Sequence, residues 1–115
     1  MAKLSTHVLD TANGIPAKNM RLELYAFDNA ERNAIFTALT DTSGRKELLA
    51  DEKMQSGIYE ICFFVAEYFQ RMGNNTTPMP FLSTVPIRFA IAEENTNYHV
   101  PLLVSPWAYS TYRGS

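Results

Sequence analysis

His7 and His99 are the two histidines of this chain, and histidine is the side chain whose ordinary pKa lets it trade protons near neutral pH. Brought together, they supply a general base and a general acid. Taken singly, each is more often a surface residue or a satisfied structural one, so their setting decides what they do. Arg45 follows the turn residues Asp41-Thr42-Ser43-Gly44. An isolated arginine there is usually just solvated, but a fixed guanidinium fork holds planar oxygens bidentately or supports an oxyanion. The chain closes on Tyr112-Arg113-Gly114-Ser115, which sets a flat ring and its hydroxyl, a cation, and a second hydroxyl beside the terminal carboxylate. A histidine pair also suits a metal. A catalytic zinc takes three protein ligands, however, and no third histidine or suitable cysteine stands out, so neither metal nor cofactor is expected.

The elements that must position these groups read as strands, because short apolar runs alternate with period two between turn residues. In Leu4–Leu9, the residues Leu4, Thr6 and Val8 share one face and Ser5, His7 and Leu9 the other. His99 likewise stands opposite Val100, Leu102 and Val104 in the run 97–105. Both imidazoles therefore point away from the core, and they meet only if their strands share a sheet or face each other across subunits. Asn13-Gly14 marks a turn. Met20, Leu22, Leu24 and Ala26 alternate with Arg21, Glu23 and Tyr25, with a polar hairpin loop expected over 28–33 and a third strand over 34–40. Lys46–Leu49 reads as a short edge strand, and Ile58–Val65 as a central strand or part of an interface. Ala66–Met72 breaks the alternation with Glu67 and Arg71 four apart and Gly73 beyond, the spacing of one short helix. Pro86, on the outward side of the run 84–92, predicts an edge or a bulge. A last strand over 109–113 runs to the end without a tail. The pattern predicts an all-β sandwich of seven to eight strands in two sheets, with one short helix.

With 115 residues and 46% hydrophobic composition, residues 1–115 are expected to form a single domain with its own core. The formal net charge of −2 and the lack of a basic stripe exclude nucleic acid as a partner. No segment approaches the roughly 20 apolar residues of a membrane helix, so no membrane partner is expected. Cys62 is the single cysteine and reads as a packed, inert thiol. No signal peptide is legible, which points to the cytoplasm, although a mature periplasmic chain trimmed of its leader would read the same. Glycine-rich phosphate loops, a Gly-x-Ser-x-Gly elbow and paired Cys-x-x-Cys are absent.

Leu4-Ser5-Thr6-His7-Val8-Leu9-Asp10, the Gly14-Ile15-Pro16-Ala17 turn, Thr40-Asp41-Thr42-Ser43-Gly44-Arg45, the passage 59–73, Tyr98–Ser105 and Tyr109–Ser115 together resemble the transthyretin-like family. Specifically, they resemble its enzymatic branch, the 5-hydroxyisourate hydrolases. The resemblance covers nearly the whole chain and departs at no motif position. It implies a transthyretin-like (prealbumin-like) sandwich. The implied activity is hydrolysis of 5-hydroxyisourate to 2-oxo-4-hydroxy-4-carboxy-5-ureidoimidazoline, a step of urate degradation. By position, His7, Arg45 and His99 match the enzymes' catalytic residues, and the terminal tetrapeptide lines the same site. Ser115 is then a further catalytic residue, while Tyr112, Arg113 and Gly114 join His7 and Arg45 in binding substrate. A homotetramer, built as a dimer of dimers around a central channel, is implied as well. Transthyretins that carry hormone share the fold but lack this ending and this histidine pair. A non-catalytic carrier using the channel is therefore the alternative that the site residues disfavour. Which histidine is the base stays open at this level.

Overall fold

A computed structural model describes residues 2–74 and 77–114. Ser115, which the family resemblance places in the site, lies outside the described residues. Nine strands form two sheets: β1 Lys3–Asp10, β2 Ile15–Pro16, β3 Arg21–Asp28, β4 Glu31–Leu39, β5 Arg45–Ala50, β6 Gly57–Phe63, β7 Val85–Ile91, β8 Tyr98–Val104 and β9 Tyr109–Thr111. Among the described residues, one α-helix, α1, spans Val65–Arg71 between β6 and β7, and a short 3-10 turn spans Asp51–Lys53. Seven strands have six residues or more, and the rest of the count comes from the two-residue β2 and the three-residue β9.

The site sheet runs β2-β1-β8-β9, with β5 also paired to β1. The second sheet runs β4-β3-β6-β7. Alternation along each strand sends one set of side chains between the sheets. Leu4, Val8, Leu102 and Val104 come from the site sheet, and Leu22, Leu24, Ile61 and Phe63 from the second, all fully buried. Each such side chain contributes roughly 1.5–3 kcal/mol through burial. Helix α1 adds Val65, Tyr68 and Phe69 to this core.

β1 is the strand on which the site depends. It pairs antiparallel with β5 along one edge, from Lys3↔Ala50 to His7↔Arg45, and β2 continues that edge at Leu9↔Pro16. Along its other edge it runs parallel to β8, from Leu4↔Tyr98 to Asp10↔Val104. Asp10 closes the strand as a buried carboxylate that accepts from the backbone N–H of Ala12 and Asn13, from the Asn13 amide and from the Tyr68 hydroxyl. Those four bonds satisfy it, and the Asn13-Gly14 turn forms over it as the dipeptide predicts.

Three expectations need correction. The hairpin loop over 28–33 shrinks to Asn29-Ala30, because Asn29 takes the left-handed conformation (φ 59°) that a tight turn needs and β4 starts at Glu31. Glu67 and Arg71 do not pair along the helix. Arg21 from β3 reaches Glu67 through two hydrogen bonds of 3.1 and 3.2 Å, and Arg71 donates to the Lys18 and Asn19 carbonyls. The last strand stops at Thr111 instead of continuing through Arg113. The register that pairs Leu102 with Thr111 also pairs His99 with Gly114, which puts Pro101 opposite Tyr112. Pro101 has no N–H to donate, so the ladder breaks there and resumes at Gly114.

On its outer face the second sheet carries a closed polar cluster. Glu60, buried at mid-strand in β6, accepts from Arg32 at 2.7 Å and Arg88 at 3.4 Å. Those guanidinium groups also lie over the rings of Tyr25 and Phe27 at 3.9 and 4.2 Å.

Candidate active site

The strand pairings bring the two histidines to one open face. Ser5 and His7 project outward from β1, while Leu4, Thr6 and Val8 are buried behind them. Arg45 is the direct partner of His7 on β5. His99 is the direct partner of Ser5 on β8, so it lies one strand across and two residues along from His7. Strand spacing and rise put their Cα atoms about 8 Å apart, a gap suited to one small ring or a water between their side chains. Both imidazoles are half-buried.

His99 is held on several sides. Ser5 Oγ lies 2.9 Å from its Nδ1. Its carbonyl accepts from the Gly114 N–H at 2.8 Å. Gly114 packs so closely on the ring that an added Cβ would sit 2.7 Å from His99 Cδ2. Burial holds the His99 pKa below the ordinary value of about 6.5, and the positive charges of Arg45 and His7 push the same way. Neutral His99 can therefore accept a proton at pH 7.

Arg45 owes its place to the preceding turn. One Asp41 carboxylate oxygen accepts from the backbone N–H of Arg45 at 2.9 Å and of Ser43 at 2.8 Å. Those two bonds, the Arg45 N–H first, hold the Asp41 carboxyl below the usual carboxylate range, with the charges of Arg45 and His7 adding to the effect. The turn is pinned to β1 at Val8, whose N–H donates to the Gly44 carbonyl at 2.8 Å. Gly44 adopts φ +75°, and a Cβ there would lie 2.5 Å from the Val8 carbonyl oxygen. No other residue fits that approach.

Ser5, Asp41, Arg45 and His99 line a cleft of about 200 Å³. Tyr112 and Arg113 line a different one, of about 350 Å³, where Phe89 of β7 and Tyr98 and Val100 of β8 leave an apolar opening between the sheet edges. Arg113 lies over the Tyr98 ring at 4.3 Å. Of the predicted site residues, Arg45 and His99 line the first cleft, His7 pairs with Arg45 beside it, and Gly114 packs on the His99 ring while sharing a further opening with Tyr112 and Arg113. Ser5 and Asp41 were not anticipated. The outward phase of Ser5 was legible, but its contact with His99 depends on a pairing across 94 residues. Among the described residues, no three of His, Cys, Asp and Glu gather in a metal-holding group.

This sandwich, with its open His/Arg face, is that of the HIUase/Transthyretin family, whose model matches residues 4–114, and the chain belongs to that family. It is similar to the 5-hydroxyisourate hydrolase of Ralstonia nicotianae, at 48% identity over 117 residues and the full length of both chains. Among solved structures, it superposes on the 5-hydroxyisourate hydrolase of Klebsiella pneumoniae with a TM-score of 0.82, at 29% identity and full coverage of both. It also superposes on part of an (S)-allantoin synthase, with a TM-score of 0.91 at 44% identity. That match covers 99% of this chain and 44% of the synthase chain. Among the described residues, no helix is long and apolar enough to cross a membrane.

Proposed function

We propose that the chain hydrolyses 5-hydroxyisourate, opening the six-membered ring of this urate oxidation product to the carboxylated ureidoimidazoline. The observation that carries the reading is the pairing of a neutral, held His99 with His7 and Arg45 on one open sheet face. Its relatives' full-length similarity supports the same substrate.

In this reading His99 is the base. Its Nε2 takes a proton from water, the hydroxide oxygen bonds to the ring carbonyl carbon, and the carbonyl oxygen becomes an oxyanion. Arg45 supports that charge and holds neighbouring substrate oxygens through its fork. Collapse of the tetrahedral intermediate breaks the C–N bond, and the departing nitrogen takes a proton from His7 or from the newly formed imidazolium of His99. Water is consumed and one carboxylate forms, with no redox change. Gly114 fixes the His99 ring, while Tyr112 and Arg113 stand at the neighbouring opening.

A homotetramer built as a dimer of dimers is part of the proposal. Two features support it. Phe89 of the edge strand β7 and Thr111 of the edge strand β9 line one opening. Tyr109, Tyr112 and Trp107 stand exposed on or beside β9. A partner joining that edge would bring its surface near Tyr112 and Arg113.

The test is to generate 5-hydroxyisourate from urate in situ and follow its ultraviolet decay with and without the purified protein. Decay well above the spontaneous rate is expected. Decay at the spontaneous rate would sink the enzyme and favour a carrier on the same fold.

A further inference from the structure

The reaction proposed above requires His99 to offer the same ring nitrogen to water in every turnover, and the histidine side chain does not choose between its two nitrogens unaided. The parallel register of β1 and β8 places Ser5 at the position on β1 directly beside His99. Its Oγ lies 2.9 Å from Nδ1. On the opposite edge of the ring Gly114 closes against Cδ2. Among the described residues, the Ser5 hydroxyl has no other hydrogen-bond partner, and the imidazole's other polar neighbour is the backbone of the same serine, which favours the charged ring. With Nδ1 and Cδ2 both occupied, the end of the ring carrying Nε2 is the end left for substrate.

We propose that Ser5 is a positioning residue for the hydrolysis, accepting a hydrogen bond from Nδ1–H of His99 so that Nε2 carries the lone pair that takes the proton from water. This inference rests on the reading of His99 as the base. A hydroxyl both donates and accepts, so Ser5 tolerates either tautomer in the resting protein. Once Nε2 is protonated, both ring nitrogens are donors, and Ser5 can only accept. Its bond then becomes charge-assisted and strengthens as the reaction advances. Ser5 thus does with a neutral oxygen what a carboxylate does in other histidine sites, where it orients the ring and fixes the tautomer. The choice of a neutral acceptor fits its surroundings. Arg45 and Glu47 from β5, Lys3 and His7 from β1, and Asp41 from the turn already face this region. A serine adds an acceptor without adding a charge, so the imidazole keeps the low proton affinity that burial and its cationic neighbours impose.

The experiment compares the full-length wild type with Ser5→Ala and Ser5→Thr. The readouts are steady-state hydrolysis of 5-hydroxyisourate and the ¹⁵N chemical shifts of the His99 imidazole. Ser5→Ala should lower kcat roughly 10- to 100-fold, the range lost when groups orienting a metal-bound histidine are removed. KM should stay within about twofold, since the hydroxyl acts through His99 and not on the substrate. The His99 ¹⁵N pattern should shift from Nδ1–H toward Nε2–H or a mixture. Ser5→Thr keeps the hydroxyl and should restore both readouts. An unchanged ¹⁵N pattern in Ser5→Ala overturns the assignment, and so does a kcat equal to that of the wild type. A loss in kcat that Ser5→Thr leaves unrepaired, with both variants folded, overturns it too. A wild type that does not hydrolyse the substrate refutes the reaction instead, while the ¹⁵N comparison still decides what Ser5 does to the ring.

Discussion

Both sheets carry charged groups on their outer faces, but the charges are arranged differently. On the second sheet, Glu60 is enclosed between Arg32 and Arg88, both guanidinium groups lie over aromatic rings, and Arg21 reaches Glu67. Donors there meet acceptors within the chain. On the site sheet, His7 and Arg45 sit side by side with His99 one strand away, and Asp41, a carboxylate of the same cleft, is committed to backbone N–H groups. Groups set side by side in this way do not stabilise one another. They cost some stability and gain a site whose charges meet their complement in substrate. Two faces of one sandwich thus divide the labour, one closing the fold and the other holding the chemistry.

The contrast breaks most sharply at the histidines. His99→Asn or His7→Asn should lower turnover by roughly 10² to 10⁴ while leaving the oligomeric state and melting temperature near those of the wild type. Near-wild-type turnover in both would refute the assignment. Gly114→Ala should follow, because the new methyl pushes the His99 ring from its seat. A displacement on the order of 1 Å costs about 10² in rate. Parallel assays and thermal melts should show the rate falling far more than stability.

Two smaller effects sharpen the comparison. Lowering the pH should switch off kcat/KM through the folded-state His99 pKa, with the acid limb below the ordinary histidine value of about 6.5. The sign for stability is the same. The unfolded chain binds that proton first, so the contribution present above about 6.5 is lost as pH falls toward the depressed value. A pH–rate profile with its limb above 6.5 would contradict this. On the other sheet, Glu60→Gln should cost about 1 kcal/mol in urea unfolding, discounted because both arginines are partly exposed, and should leave kcat unchanged. A fall in kcat there would mean that the two faces are coupled.

Much of this division was legible in the residues. Period-two alternation placed Ser5, His7 and His99 outward, because a strand that buries Leu4 and Val8 has no other phase available. It also resolved β3 and its buried face, and β7 as an edge tolerant of Pro86. The failures were non-local. Arg71 and Glu67 have ideal helical spacing, yet Arg21 and the loop carbonyls compete for them from outside the helix. The strand ending at Tyr109–Thr111 is cut by a proline on its neighbour, which no reading of residues 109–113 alone contains. The contact between Ser5 and His99 needs the parallel pairing of two strands from opposite ends of the chain.

That last pairing also bears on how the protein is made. β1 emerges from the ribosome first, but its partner β8 begins only at Tyr98, and the ring of His99 is seated by Gly114. Synthesis must therefore reach Gly114 before the face bearing His7 is complete, and ordering so distant a contact makes folding slow relative to a helical chain of this size. Until then β1 can dock only on β2 and β5. A nascent chain stalled before residue 98 would carry His7 and Arg45 in register and still lack the site, and loss of the last few residues would undo the oldest strand's function along with the youngest's.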